Sequence, residues 1–242
     1  MLTLTIVCPS MGNEEQAIKS WKRTAHWSPM TIHTYDETTG EHAGFLNKLQ
    51  RGYEEEHTDL LAYFHSDLFI HEEGWDERIR EEFQEERVAV VGFVGAKRLG
   101  RDDLYRTPYD FRQLARAGVL SNLADAEIHG SRETGSQSVA VLDSCAVVVR
   151  RSFLERVGGW PVARYPNSSH CTDLWICAMA HRAGMAVHVV GVKCSHLSGG
   201  KGTKGTEWLD ARGGDASMHQ RAHELIYEDF RDVLPIVIRS EQ

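Results

Sequence analysis

The amino-acid sequence predicts one α/β domain, with a mostly parallel central sheet and helices on both of its faces. Three observations support this fold class. Short β-branched segments alternate with helical patterns from residue 2 to residue 94, which is typical of a parallel sheet. The chain has 242 residues, 41% of them apolar, enough for one sizeable core. No internal repeat or low-complexity linker divides it, so residues 1–242 are expected to form a single domain.

Strands and helices alternate through the first part of the chain. The predicted strands are runs rich in Val, Ile, Leu or Thr, at Leu2–Cys8, Met30–Tyr35, Leu60–Phe64 and Val88–Val94. The predicted helices have apolar residues at three- and four-residue spacing, at Glu14–Thr24, His42–Glu56 and Asp76–Arg87. Gly12 and Asn13 are expected to turn the chain between the first strand and the first helix.

Periodicity fades from Gly95 to Ser138, where only Tyr109–Ala117 has a weak helical pattern. That stretch is therefore interpreted as loops that carry substrate specificity. Val139–Val149 then predicts one long strand, with a polar break at Asp143.

The remaining elements have recognisable ends. Ser152 and Glu155 fit a capping box for a short helix that ends at Val157 before two glycines. Thr172 is predicted to cap a helix over Asp173–Arg182. The last predicted segments are a strand at Met185–Val190, a mobile glycine-rich stretch at Ser198–Gly214 and an amphipathic helix at Ala216–Leu234.

Charge and composition exclude several classes of protein. The 27 basic and 35 acidic residues leave a net charge of −8, so no whole-chain basic field attracts nucleic acid or anionic membranes. The longest strongly apolar stretch, Val139–Val149, contains Asp143 and is shorter than the roughly 20 apolar residues that a membrane-spanning helix needs. No stable membrane insertion is therefore expected. Five cysteines without CxxC spacing favour reduced thiols and a cytoplasmic location.

Polar residues follow the third predicted strand, at the sheet edge where open α/β proteins bind ligands. His65, Ser66 and Asp67 come directly after it, and a carboxylate there can hold a cation that bridges phosphates. His196 follows a later strand, and one imidazole with one carboxylate suits Mn²⁺ or Mg²⁺. Spacing alone leaves two structural interpretations open: Asp67 can cap the following helix, and His196 can be a structural residue.

Three further groups have both a chemical and a structural interpretation. Asp173, at a helix start, is a candidate general base, although acids also favour that position through the helix dipole. Ser10, after Pro9, and Asp36 follow two adjacent predicted strands, where they can contact a nucleoside or be ordinary turn residues. Lys201 and Lys204 lie among glycines that can fold over a diphosphate; their spacing is not that of a P-loop, and a solvated loop is the alternative.

In order, these motifs resemble the inverting family 2 glycosyltransferases, which have the Rossmann-like GT-A fold. The resemblance covers Leu2 to about Ser198, apart from 98–138, and the strand motif FHSDLFIHEEGW is close to one subgroup. It implies that Pro9, Ser10, Asp36, Asn47, His65 and Ser66 contact the donor, together with Lys201 and Lys204. His65 replaces the first acid of the family's Asp-x-Asp, while Asp67 keeps the second and is implied to bind the metal.

The later motifs of the resemblance assign the other roles. VLDSCAVVVRRSFLERVGGW implies that Asp143, Ser144 and Trp160 face the acceptor. CTDLWICAMAHRAG places the family's catalytic acid at Asp173, with Thr172 in place of its preceding Glu. GVKCSHLSGG places a second metal ligand at His196.

The resemblance implies a metal-dependent transfer of a sugar, with inversion, from a nucleotide-diphosphate donor such as a UDP-sugar. Residues 1–97 would bind the donor, and 98–242, with the mobile segment and the last helix, the acceptor. The acceptor is expected to be a glycan, a protein or a lipid-linked sugar; a modified DNA base is less favoured. A catalytically degenerate module that binds a nucleotide-sugar or a glycan is one alternative, and a sugar nucleotidyltransferase is the second.

Overall fold

A computed structural model describes residues 2–10, 12, 14–26, 30–36, 44–100, 116–117, 119–121, 128–129, 135–165, 171–196 and 216–239. Its strands are β1 (Leu4–Ser10), β2 (Thr31–Asp36), β3 (Leu60–Phe64), β4 (Leu68–Ile70), β5 (Val88–Gly92), β6 (Gly95–Ala96), β7 (Arg98–Leu99), β8 (Arg116–Ala117), β9 (Val119–Ser121), β10 (Ile128–His129), β11 (Ser136–Ser138), β12 (Val141–Leu142), β13 (Ala146–Arg150), β14 (Ala186–Val190), β15 (Lys193–His196) and β16 (Ile236–Val237). Its helices are α1 (Glu15–Thr24), α2 (Phe45–Glu55), α3 (Trp75–Glu82), α4 (Arg151–Val157), α5 (Thr172–Arg182) and α6 (Ala216–Asp229).

The central sheet has seven strands in the order β11-β14-β5-β13-β3-β1-β2. β1 pairs in parallel with both β2 and β3, and β14 pairs in parallel with β5. β13 runs antiparallel between β3 and β5, and β11 is an antiparallel edge strand. Five of the seven strands therefore point the same way, which confirms the mostly parallel sheet. Three smaller sheets have the orders β10-β9-β15-β4, β12-β6-β8 and β16-β7.

Helices cover both faces of this sheet, as predicted. On one face, Trp21 of α1 and Trp75 of α3 pack in a core with alternate residues of β1 and β3. On the other face, α2, α4, α5 and α6 pack against a second core that includes Val7 and Tyr63. The alternation within each strand explains the division, because successive side chains point to opposite faces.

The predicted strand over Val139–Val149 is wrong as a single element. The structure divides it into β12, in a small sheet with β6, and β13, in the central sheet. Between them the Cys145 amide donates to Asp143 Oδ1 at 2.9 Å, which turns the chain. The polar break is therefore the point at which the backbone passes from one sheet to the next.

Both predicted helix caps are also wrong. α4 begins at Arg151, so Ser152 lies within its first turn, and no side chain caps it. Thr172 is itself the first residue of α5 and follows Cys171, whose φ is 66°. Gly158, with φ 84°, ends α4 as predicted, because glycine adopts this left-handed conformation without strain.

Other differences concern element ends. α3 ends at Glu82 rather than Arg87, and α6 ends at Asp229 rather than Leu234. A weak helical pattern was predicted at Tyr109–Ala117. Its last two residues, Arg116–Ala117, form a strand, while residues 109–115 lie outside the described residues. None of the described helices is long and apolar enough to cross a bilayer. All five cysteines are buried, and each is a thiol rather than half of a disulfide.

Gly52 fixes the close approach of α2 to β1. A Cβ atom at Gly52 would lie 2.6 Å from Val7 Cγ1, closer than real carbon atoms approach. We expect Gly52→Ala to lower the free energy of unfolding by about 1–2 kcal/mol, because overpacking outweighs the higher helix propensity of alanine. Urea denaturation measures it, with Gly135→Ala as the control because a Cβ there meets open space. Equal stability of the two variants would show that Val7 moves aside freely.

Candidate metal and active site

A short antiparallel pairing joins two residues that are far apart in the sequence. Asp67 directly precedes β4, and His196 is the last residue of β15. His196 is the register partner of Leu68, so its ring lies beside Asp67, with Nε2 2.9 Å from Asp67 Oδ1. His196 was expected to follow a strand; instead it ends one, and the pairing with β4 holds it in place.

His65 completes a group of three. Its Nδ1 atom lies 3.2 Å from His196 Nε2, and the ligand atoms of His65, Asp67 and His196 all lie within 4.8 Å of one another. The His65 amide donates to the Cys145 carbonyl at 3.1 Å. Phe45 presents its ring edge-on to the imidazole, with centroids 5.3 Å apart. Backbone and packing therefore both orient His65 towards the other two side chains.

The three side chains fit a divalent cation. Two ligands at right angles, each about 2.1 Å from an ion, lie about 3 Å apart, close to the separations measured around His196 Nε2. Two imidazoles with one carboxylate suit Mn²⁺ better than Mg²⁺, which prefers oxygen ligands. Ligands from substrate or water would have to complete the coordination of such an ion.

The electrostatic surroundings of His196 favour a positive charge. Burial lowers the pKa of His196, but the hydrogen bond to Asp67 and the charges of Asp67 and Asp143 outweigh it, and the pKa is raised above its usual value. A proton and a divalent cation would therefore compete for this side chain.

A second group, of two carboxylates, lies next to the first. Asp143 occupies the turn between β12 and β13, and Asp173 lies in the first turn of α5. Asp143 raises the pKa of both His196 and Asp173, so its charge lies near the histidine and near the second carboxylate. A hydrogen bond joins this turn to the first group, because the Cys145 carbonyl accepts the His65 amide.

The carboxyl group of Asp173 is tuned towards neutral pH. Burial, followed by the negative charge of Asp143, raises its pKa to about 7. The backbone N–H groups of Leu174 and Ser144 oppose this rise, the first by donating to Asp173 Oδ1 at 2.9 Å. Asp173 nevertheless retains some solvent-accessible surface. A carboxylate with a pKa near the working pH is suited to accept a proton in a reaction.

The predicted nucleoside side is built by β1 and β2. Ser10 and Asp36 are register partners at the carboxyl ends of these parallel strands, and Pro9 pairs with Tyr35. The Ser10 hydroxyl donates to Glu14 and accepts the Gly12 amide at 2.9 Å.

The other predicted donor contacts differ in how far the structure describes them. Asn47 lies in the first turn of α2, and Ser66 is buried between His65 and Asp67. Lys201 and Lys204, with the rest of the glycine-rich stretch, lie outside the described residues.

Trp160, a predicted acceptor residue, is mostly buried. Its indole N–H donates to the Tyr63 hydroxyl at 3.0 Å, and its ring lies edge-on to Tyr63. It also lines a shallow apolar depression beside the start of α5, together with Leu46, Pro161, Tyr165, Cys171, Thr172 and Trp175. Asp143 and Ser144 are half-buried, and both affect the pKa of Asp173.

Sequence reasoning missed the pairing of β4 with β15, which assembles the first group. The apolar triplet of β4 and the polar KCSH segment of β15 are too short for periodicity to identify. It also missed that Asp143 acts on Asp173, since residues 30 positions apart carry no local signal of proximity.

Comparisons with known proteins establish the fold. No protein-family model matches the chain, and no curated protein matches it. Among solved structures, A197 from STIV has a TM-score of 0.45 at 15% identity, over 81% of this chain and 86% of that chain. GalNAc-T7, solved with UDP, GalNAc and Mn²⁺, has a TM-score of 0.54 at 8% identity. That likeness covers 81% of this chain and 44% of GalNAc-T7, so the chain spans less than half of that protein. The chain thus has an α/β fold of the GT-A type.

Proposed function

We propose that this protein is a metal-dependent, inverting glycosyltransferase of the family 2 type. It would move a hexosyl or N-acetylhexosaminyl group from a nucleotide-diphosphate donor, such as a UDP-sugar, to an acceptor hydroxyl. One observation carries the proposal: His65, Asp67 and His196 converge at the carboxyl edge of a GT-A sheet, with the Asp143–Asp173 pair beside them. The likeness in fold to GalNAc-T7, whose structure was solved with UDP and Mn²⁺, agrees with this chemistry.

Each residue of the site has a role in the proposed reaction. His65, Asp67 and His196 would hold Mn²⁺ or Mg²⁺, which offsets negative charge on the leaving diphosphate. Asp173 would take the proton of the acceptor hydroxyl while the hydroxyl oxygen attacks the anomeric carbon from the face opposite the leaving group. That direction of attack inverts the anomeric centre. Lys201 and Lys204 are proposed to add positive charge near the diphosphate.

The two parts of the chain would divide the work. We propose that 1–97 binds the nucleotide-sugar through Pro9, Ser10, Asp36 and Asn47, and that 98–242 binds the acceptor. Asp143, Ser144 and Trp160 are the proposed acceptor residues. His196 belongs to the second part yet lies against Asp67, so the proposed cation would join the two.

The direct test is a panel of nucleotide-sugars with Mn²⁺ and candidate acceptors, read by nucleoside diphosphate release. Release with at least one donor, and an inverted anomeric configuration in the product by NMR, is the expected result. Binding of a nucleotide-sugar without transfer or hydrolysis would indicate a binding module instead. Release of pyrophosphate from a nucleoside triphosphate and a sugar phosphate would indicate a nucleotidyltransferase.

The raised pKa of Asp173 predicts the pH dependence of transfer. Only the ionised carboxylate accepts a proton, so at saturating donor and Mn²⁺ the rate should fall about tenfold per pH unit below about 7 and level off above it. Asp143→Asn should shift the midpoint to lower pH, because it removes the neighbouring negative charge. A rate that stays constant down to about pH 5.5 would contradict this assignment.

A further inference from the structure

A second cluster of hydrogen-bonded side chains lies at the end of the central sheet formed by β11 and β14. Ser138 is the last residue of β11, His188 lies in the middle of β14, and Glu82 is the last residue of α3. β5 and β13 separate β14 from β3, the strand that His65 and Asp67 follow. The cluster is therefore distinct from the site of the proposed glycosyl transfer.

The pairing of β11 with β14 brings the serine beside the histidine. Ser138 and His188 are antiparallel register partners. At the adjacent position, the Val139 amide donates to the Val187 carbonyl at 2.9 Å. Hydrogen-bonded and non-hydrogen-bonded pairs alternate along an antiparallel ladder, so Ser138 and His188 form a non-hydrogen-bonded pair, in which side chains approach most closely. Ser138 Oγ accordingly lies 3.1 Å from His188 Nε2.

Glu82 orients the imidazole from the other side. Its Oε1 atom hydrogen-bonds to His188 Nδ1 and accepts the Ser136 hydroxyl at 2.5 Å. Burial raises the pKa of Glu82, but the hydrogen bonds from His188 and Ser136 outweigh burial, and the pKa is lowered. An ionised carboxylate only accepts hydrogen bonds, so the proton of the neutral ring lies on Nδ1. His188 Nε2 then has a free electron pair that accepts the Ser138 hydroxyl.

A hydroxyl, an imidazole and a carboxylate in series are the arrangement that activates a serine as a nucleophile. The hydroxyl is accessible, because Ser138 is exposed while His188 and Glu82 are half-buried. The backbone N–H of Ser138 points away from β14, because successive N–H groups of a strand alternate and that of Val139 points towards β14. It can donate to negative charge that develops on an oxygen beside Ser138.

We propose that Ser138, His188 and the positioning residue Glu82 form a second reactive site, which hydrolyses small esters. Ser138 Oγ attacks the ester carbonyl carbon, and its proton passes to His188 Nε2. The bond from that carbon to the alcohol oxygen breaks, and the alcohol leaves with the proton from His188. Water then attacks the acyl carbon and gives a proton to His188, which returns it to Ser138 Oγ as the carboxylic acid leaves.

The class of substrate follows from this chemistry. An oxygen nucleophile activated by a neutral imidazole attacks acyl carbonyl groups, and the alcohol of an ester is a good leaving group. Neither a cation nor a nucleotide takes part in these steps. The proposal is therefore independent of the proposed glycosyl transfer.

Incubation of the full chain with p-nitrophenyl acetate tests the proposal. After acid quenching, mass spectrometry should find an acetyl group on Ser138 but not on Ser136, an exposed serine of the same strand whose hydroxyl donates to Glu82 instead. Release of p-nitrophenol should continue beyond one equivalent per chain. His188→Gln should slow acetylation of Ser138 by about 10²- to 10⁴-fold, because the base is lost. His57→Gln, at an exposed position, is the matched control.

Two further variants separate reaction at Ser138 from reaction elsewhere and from a structural role. Ser138→Ala should lower the continued release of p-nitrophenol, and Ser152→Ala, at an exposed position of α4, is its control. Nitrogen NMR of the His188 ring should show the proton on Nδ1 in the unaltered chain. Glu82→Gln should weaken this preference and slow acetylation, which loss of a merely structural contact would not do.

Each outcome supports or overturns the proposal. An unaltered chain that carries no acetyl group on Ser138, or that stops at one equivalent of p-nitrophenol, overturns it. Equal acetylation of Ser138 in His188→Gln, with the same unfolding temperature, also overturns it, since the three side chains would then only attach β11 to α3. If His188→Gln does not fold, Glu82→Gln decides: slower acetylation with a changed ring proton supports the proposal, and equal acetylation overturns it.

Discussion

Asp173→Asn is expected to lower the rate of sugar transfer by at least about 10²- to 10⁴-fold while leaving nucleotide binding intact. The amide has nearly the same shape as the carboxylate, but it cannot take the proton of the acceptor hydroxyl. Transfer and UDP binding are measured on the same preparation, with Mn²⁺ saturating. Glu81→Gln, at an exposed position of α3, is the control for removing one negative charge.

Loss of folding is not expected to explain the result. The pKa of Asp173 is raised to about 7 by the fold, so the folded protein binds an additional proton and loses stability as the pH rises towards 7. Asparagine cannot ionise, so Asp173→Asn should unfold at the same or a higher temperature at pH 8. Near-normal transfer by this variant would remove Asp173 from the role of base.

The second large effect concerns the cation. His196→Ala should weaken Mn²⁺ binding by more than about 100-fold and abolish transfer, because His196 Nε2 is the atom close to both His65 and Asp67. Titration followed by the paramagnetic resonance of free Mn²⁺ measures this without any substrate. His57→Ala, at an exposed position before β3, is the matched control.

Proton competition gives the same experiment a second readout. The pKa of His196 is raised, so Mn²⁺ should bind the unaltered chain more tightly as the pH increases through the histidine range. Asp67→Asn should weaken binding as well, since it removes the one carboxylate of the group. Equal Mn²⁺ affinity of His196→Ala and the unaltered chain would show that the three side chains do not hold the ion.

Much of the central sheet could be predicted because its strands are apolar on both faces. β1, β3 and β5 are continuous buried runs, and the helices between them have clear apolar stripes. The division of Val139–Val149 could not be predicted, since apolar content continues through the turn at Asp143 and only a side-chain bond to the Cys145 amide interrupts it. Helix starts failed at Ser152 and Thr172, where backbone conformation rather than a side-chain cap sets the boundary.

The candidate site shows the same limit. Asp67 was identifiable because it comes shortly after the apolar strand β3, and His196 because it was expected after a later strand; the structure brings the two into contact. The placement of His65 in the same group depends on a backbone bond to Cys145 and on the edge of Phe45.

The turn over residues 143–145 has a consequence for how the reaction would be aligned. Asp143 lies beside the proposed base, and two residues later the Cys145 carbonyl holds the amide of His65. Three consecutive residues thus connect the surroundings of the proposed proton acceptor to those of the proposed cation site. Insertion of a single residue in this tripeptide is therefore expected to move the proposed base relative to the proposed cation site even if every side chain named above were kept.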